Sequence, residues 1–186
     1  NILVEGSNSK YRKALERGME ISLEEGVRFF VTALGNPRWV VEQAKALGGV
    51  VFHDATNVRH AKKALDNGVD GFICVNNRAG GHAGELSPQE LFDEIAPLGK
   101  PTICAGGVGG RKEFEDALRI GYHGVQLGTR FIASREAAAH DDYKQAIIAA
   151  KADDIVLTDK ISGVPVSVIN TPYIERMGAK AGWLAR

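Results

Sequence analysis

Cysteine is scarce in this chain of 186 residues: only Cys74 and Cys104 occur, each inside an apolar run. That argues against a disulfide framework and a clustered thiolate metal site, and makes a reducing, cytoplasmic setting the expectation. Net charge is missing too. The 23 basic and 23 acidic side chains cancel, so no long-range field points to nucleic acid or an anionic membrane. A small-molecule substrate is expected instead. Apolar runs such as Gly48-Gly49-Val50-Val51-Phe52 and Gly71-Phe72-Ile73-Cys74-Val75 fall far short of the roughly 20 residues that span a bilayer. The opening residues Asn1-Ile2-Leu3-Val4-Glu5-Gly6 lack a basic start followed by an apolar stretch, so no secretory signal is expected. Absent as well are a G-x-S-x-G elbow, a P-loop ending in Gly-Lys-Ser/Thr and a C-x-x-C pair, which leaves no standard serine hydrolase, Walker NTPase or dithiol signature. His140-Asp141-Asp142 has no second imidazole at a helical interval, and no catalytic metal is expected.

What is present is an alternation. Five apolar, β-branched runs, 27–32, 49–53, 69–75, 101–104 and 124–127, read as buried strands. Between them lie segments with helical spacing, around 39–47, 58–65, 88–95 and 112–120. Strands alternating with helices imply a parallel α/β sheet. Ser87-Pro88-Gln89-Glu90 supplies an N-cap and a first-turn proline, while Asn67-Gly68, Leu98-Gly99 and Ile120-Gly121 are helix stops. Residues 1–4 resemble the tail of an earlier strand, and 11–25 reads as a helix. Five βα units do not close an eight-stranded barrel, which usually needs about 250 residues. The expectation is one domain over 1–186, a barrel present in part, with 167–186 starting a cap or interface segment. An incomplete barrel leaves apolar surface that favours self-association, so a homo-oligomer is one expected state.

Chemistry concentrates in the loops that follow strands. In parallel barrels these loops carry the functional groups, and phosphate is commonly held after strands seven and eight. Here the run 101–104 is followed by Ala105-Gly106-Gly107-Val108-Gly109-Gly110, and the next by Gln126-Leu127-Gly128-Thr129-Arg130-Phe131. Glycine lets bare N–H groups approach an anion closely, so two successive turns of this kind could grip one phosphate; the alternative is that they merely make tight βα turns. His82 follows the run 69–75 and is flanked by Gly80, Gly81 and Gly84. Imidazole exchanges protons near neutral pH, and these flanks leave it uncovered, so it can take a proton from a weakly acidic carbon or donate to an anion. A loop histidine meeting solvent is the alternative. His53 ends a strand and could line the same mouth, although a structural role suits it better; His60 lies among Arg59, Lys62 and Lys63 on a solvated face, and His123 opens a strand. Asp153-Asp154 and Glu24-Glu25 read as solvated helix faces.

Taken together, Ala79-Gly80-Gly81-His82-Ala83-Gly84, the Ala105-Gly106-Gly107 turn, Gln126-Leu127-Gly128-Thr129-Arg130-Phe131 and Phe52-His53-Asp54-Ala55-Thr56-Asn57-Val58-Arg59-His60-Ala61 resemble the nitronate monooxygenase family, formerly the 2-nitropropane dioxygenases. The resemblance implies an FMN-binding (β/α)8 TIM barrel, here roughly strands 3 or 4 to 8, which oxidises alkyl nitronates with molecular oxygen to a carbonyl compound and nitrite. It implies that His82 is the catalytic histidine, that Gly80 lies beside the flavin, and that Gly107 contacts its phosphate. Gln126, Leu127, Gly128 and Thr129 would form the second phosphate turn, and Asn1 matches the asparagine that ends the third strand and faces the flavin. The partners implied are a nitronate or nitroalkane and oxygen.

Two departures bear on substrate. Some members carry lysine where this chain has Asp54, and a glutamine or acidic residue often stands in the loop occupied here by Val75-Asn76-Asn77-Arg78. Arg78 could add positive charge to the site, although a surface salt bridge is the role expected of it. The flavin-dependent enoyl-acyl-carrier-protein reductases share the Gly-Gly-His and Gly-Thr-Arg-Phe motifs and form an alternative reading. A non-catalytic phosphate-binding barrel fragment is another.

Overall fold

The computed structural model describes residues 2–3, 9–161, 163 and 165–178. In chain order, β1 (Ile2–Leu3), α1 (Ser9–Glu24), β2 (Phe29–Ala33), α2 (Arg38–Ala46), β3 (Val50–Ala55), α3 (Val58–Asp66) and β4 (Gly71–Val75) make the first half. A short β5 (Gly81–His82) comes next, then α4 (Pro88–Ile95), β6 (Thr102–Ala105), α5 (Arg111–Ile120) and β7 (Gly124–Gln126). The described chain ends in α6 (Thr129–Ile132), α7 (Asp141–Ala149), β8 (Ile155–Thr158), β9 (Val166–Ile169) and α8 (Pro172–Met177). Each expected strand and helix lies within two residues of its observed bounds at most ends. Local chemistry explains the agreement. Asn57 caps α3 by accepting from the His60 amide at 2.9 Å, and Ser87 with Glu90 forms a reciprocal capping box with Pro88 in the first turn of α4.

Among the described residues, β1-β2-β3-β4-β6-β7 form one sheet in that order, and every adjacent pair is parallel. Register divides its side chains between two faces, because side chains alternate along each strand. Phe30, Val51, Phe72, Cys74 and Cys104 point to the helices and join Val40, Val41, Ala44, Leu91 and Ile95 in the main core. The opposite, inner face carries Val31, Phe52, Ile73, Val75, Ile103 and Ala105 in a second, smaller cluster. Helices cover one face of a curled parallel sheet, and the other face is the interior of a barrel seen in part.

The C-terminal part departs from the expected pattern. Residues 155–158 and 166–169 are strands, and with β5 they form a separate sheet in the order β5-β9-β8, antiparallel throughout. Gly81 pairs with Ser167 and His82 with Val166. The segment beginning at 167 therefore turns back onto the histidine loop of its own chain. Asp153-Asp154 lies in a 3-10 turn, Ala152–Asp154, and not in an α-helix; both residues are exposed, as expected. No helix among the described residues is long and apolar enough to cross a membrane.

Candidate active site

All strands of the main sheet run the same way, so the end of β3 and the loops after β4, β6 and β7 lie at one end. There Asp54 of β3 and those loops line a cleft of about 1120 Å³. Gly80, His82, Gly107, Gln126, Leu127, Gly128 and Thr129, which the sequence singled out, all line it. Asn1 lies outside the described residues. The far wall comes from the C-terminal part, with Tyr143 and Ile147 of α7 and Val168 and Ile169 of β9.

The histidine loop is docked on the two glycine turns by contacts that leave no room for side chains. A Cβ on Gly80 would lie 2.1 Å from Thr129 Oγ1, so any larger residue here must displace the Thr129 hydroxyl or the loop. Gly106 and Gly107 have φ of +118° and +72°, and a Cβ on Gly106 would meet the Ala79 amide nitrogen at 2.5 Å. Asn76 ties the same elements together. Fully buried directly after β4, it donates from Nδ2 to the Gly106 carbonyl at 3.1 Å and accepts at Oδ1 from the Arg78 amide at 2.8 Å. The sequence pattern drew notice to this loop without giving Asn76 a role. Its signal was an amide side chain at a strand end among apolar and glycine neighbours, which needs buried partners.

Anion-binding chemistry is present at the two turns. Among the described residues, the N–H groups of Gly107, Gly109 and Gly128 find no backbone carbonyl, while Arg78 and Arg130 line the cleft beside them. Arg130 donates to the Gly109 carbonyl, joining one turn to the other. The expected surface salt bridge of Arg78 does not form: no carboxylate of the described residues lies within ion-pair distance. Its alkyl stem instead packs over Gly107, where an added Cβ would be 2.8 Å from Arg78 Cβ. Bare amides with two guanidiniums fit a phosphate, and the open cleft above them has room for a ring system. The described residues therefore fit the FMN that the resemblance implies, whose phosphate Gly107, Gly128 and Thr129 would hold.

His82 is exposed to this cleft. His53 is not: it points to the helix face, is buried, and its Nδ1 shares a 2.8 Å hydrogen bond with Thr32 Oγ1. Burial depresses its pKa to about 4, helped by His60 and Lys63, so it stays neutral. The next residue is the one that faces the cleft. Asp54 sits on the inner face in register with Ile73. Its Oδ1 is buried with no hydrogen-bond partner, and burial raises its pKa to about 6. Period-two alternation from Phe52 puts Asp54 on that face, at the position where some family members carry lysine. The thiols take no part. Cys74 and Cys104 lie side by side on the helix face, and burial pushes the Cys74 thiol up to about 12.

Known proteins share the sequence and the fold of this chain. The family model for nitronate monooxygenase matches residues 3–185. A Mycobacterium tuberculosis (3aS,4S,5R,7aS)-5-hydroxy-7a-methyl-1-oxo-octahydro-1H-indene-4-carboxyl-CoA dehydrogenase is 31% identical over 163 residues, 86% of this chain and 46% of its own. A probable nitronate monooxygenase of Staphylococcus saprophyticus is 29% identical over 185 residues, 91% of this chain and 52% of its own. The chain thus spans about half the length of the curated relatives it matches. Among solved structures, FabK from Thermotoga maritima superposes with a TM-score of 0.81 at 28% identity, over 95% of this chain and 55% of that one. A nitroalkane oxidase from Streptomyces ansochromogenes gives 0.80 at 23% identity, over 96% and 55%, a likeness of fold. With the match running through the histidine loop and both glycine turns, the chain belongs to the nitronate monooxygenase family.

Proposed function

We propose that this chain carries the phosphate-binding and catalytic part of an FMN-dependent oxidoreductase, with alkyl nitronates oxidised by molecular oxygen to carbonyl compound and nitrite. The observation that carries the reading is the convergence of the exposed His82 and two glycine turns, with free amides and two guanidiniums, on one cleft. FMN, when bound, supplies the two-electron redox chemistry. The chain's own residues do the rest. The amides of Gly107 and Gly128 and the Thr129 hydroxyl hold the phosphate, and Gly80 keeps the loop close enough for His82 to reach the substrate. His82 donates a hydrogen bond to the anionic nitronate, or takes the α-proton when a neutral nitroalkane is offered. Tyr143, Ile147, Val168 and Ile169 add a largely apolar wall to the cleft.

The test uses the FMN-loaded chain with propyl nitronate under air. Oxygen uptake with equimolar nitrite is expected, and His82→Ala lowers kcat/KM by about a hundredfold or more while leaving the FMN dissociation constant within a few-fold. Equal turnover in both proteins overturns the role of His82. A second reading has its own observation. Asp54 places an unpartnered carboxyl in the cleft, and relatives over 86% and 95% of the chain are named as dehydrogenases of a hydroxylated carboxyl-CoA. On that reading a carboxyl-CoA is dehydrogenated, and anaerobic bleaching of the flavin by a hydroxylated acyl-CoA, without nicotinamide, distinguishes it.

A further inference from the structure

We propose that Val166 is the positioning residue of His82: β9 builds the strand that carries the histidine, and the Val166 side chain sets the direction of its ring. This rests on the role given to His82 above. Of the five histidines in the chain, four have a ring nitrogen in a hydrogen bond. His53 shares one with Thr32 Oγ1 and His60 one with Thr56 Oγ1, while His123 and His140 accept from the amides of Thr102 and Asp142. Among the described residues His82 has no such partner. Both its ring nitrogens are open to a ligand, and its direction has to come from backbone and packing. The loop alone does not supply it. Gly80 and Gly81 precede the histidine, Gly84 follows, and Gly81 has a φ of +78°; a strand of two residues is not stable by itself.

β9 supplies the missing constraint. Gly81 pairs with Ser167 and His82 with Val166, and the Ala83 amide donates to the Pro165 carbonyl at 3.2 Å. Hydrogen-bonded and non-hydrogen-bonded pairs alternate along an antiparallel ladder, which makes His82 and Val166 the non-hydrogen-bonded pair between two bonded ones. In such a pair the Cα atoms stand about 4.5 Å apart and the side chains are at their closest. Valine suits the place, because branching at Cβ restricts χ1 and makes its methyls a fixed wall. Val166 is backed in turn by its β8 partner Thr158, which is buried. Thr158, Val166 and His82 thus form one row across the three strands, from buried through half-buried to exposed. A ring held by apolar packing keeps both nitrogens for the ligand, as a hydrogen-bonded ring would not.

The experiment follows turnover of propyl nitronate by the FMN-loaded chain and the imidazole resonances of the FMN-free chain by NMR. Val166→Ala is expected to lower kcat by about tenfold or more, since misplacing a catalytic group by about 1 Å can cost about a hundredfold. KM and the FMN dissociation constant stay within about twofold, and Val166→Ile keeps most of the wild-type kcat. Without flavin, the Val166 methyls give nuclear Overhauser contacts to the His82 ring protons. In Val166→Ala the His82 resonances shift while those of His53 and His123 stay in place. Val156→Ala makes the same truncation on β8, opposite Val168, and is expected to leave kcat and the His82 resonances unchanged. Wild-type kcat in Val166→Ala, unmoved His82 resonances, or an equal fall in Val156→Ala overturns the assignment of Val166. Turnover by His82→Ala at the wild-type rate overturns the reading of His82 instead, and the resonances then still decide whether Val166 directs its ring.

Discussion

Two adjacent residues of β3 are both pushed toward their neutral forms for the same reason, loss of water. Asp54 has its pKa raised by burial from 3.8 to about 6, and His53 has its pKa lowered by burial from 6.5 to about 4. As pH rises from about 4 to about 6, the unfolded chain ionises Asp54 before the native chain does, so stability is lost through that window. Over nearly the same window, the unfolded chain gives up the extra proton on His53, so stability is gained. The two contributions oppose, each on the order of 3 kcal/mol, because a tenfold change in proton affinity is worth about 1.4 kcal/mol. Urea denaturation of the flavin-free chain is therefore expected to show little net slope from this pair between pH 4 and 6. In Asp54→Asn the His53 contribution stands alone: the variant is more stable than wild type by about 2–3 kcal/mol at pH 7.5 and loses most of that lead by pH 4. Parallel pH profiles for the two proteins would contradict the buried carboxyl. Gly80→Ala acts through geometry instead. Its methyl would stand 2.1 Å from Thr129 Oγ1, so the hydroxyl or the loop is displaced from the phosphate turn, and FMN affinity is expected to fall in a fluorescence-quenching titration.

At the scale of elements, the site depends on how loops are fastened to one another. Asn76 joins the histidine loop to the turn after β6 through bonds to Gly106 and Arg78, and its carbonyl accepts from the amides of Ala79 and Gly84. Asn76→Ala leaves those side-chain partners unpaired in a buried place, which costs about 1–3 kcal/mol and loosens the pocket. Thermal melts are expected to show the loss, and FMN binding weakens with it. Ser87→Ala removes the cap of α4 at a comparable cost, about 0.5–2 kcal/mol, but Ser87 does not line the cleft, so FMN binding is expected to stay unchanged. A cap variant that weakened FMN as much as Asn76→Ala would show that the effect is general destabilisation. The contrast also marks what was legible. Capping box, helix stops and parallel strands are written in short stretches of sequence, and so were His82 and both glycine turns. The pairing of β5 with β9 was not, because Gly81–His82 is a two-residue strand made only by a partner 84 residues away, and Val166–Ile169 shows no alternation of burial. Asp54 was readable from strand parity, whereas the bonds of Asn76 exist only once two loops meet.

For the whole molecule, the unequal faces of the sheet decide where stability resides. Phe72 is fully buried between sheet and helices, whereas Phe29 on the inner face is 54% exposed, touching Phe52 edge-on at 5.2 Å. In a full barrel the inner face is packed from opposing strands; here it has that packing from one side. Phe72→Ala removes a ring from a closed core and leaves a cavity, at a cost of about 3–5 kcal/mol. Phe29→Ser takes apolar area out of contact with water as much as with protein, so its cost in urea denaturation is expected to stay below about 1 kcal/mol. It should also lower binding of a hydrophobic dye and any self-association seen by sedimentation, because exposed apolar surface of this kind drives both. Equal destabilisation by the two variants would mean that the inner face is as well packed as the outer one. The half-open barrel would then be the wrong description of the chain on its own.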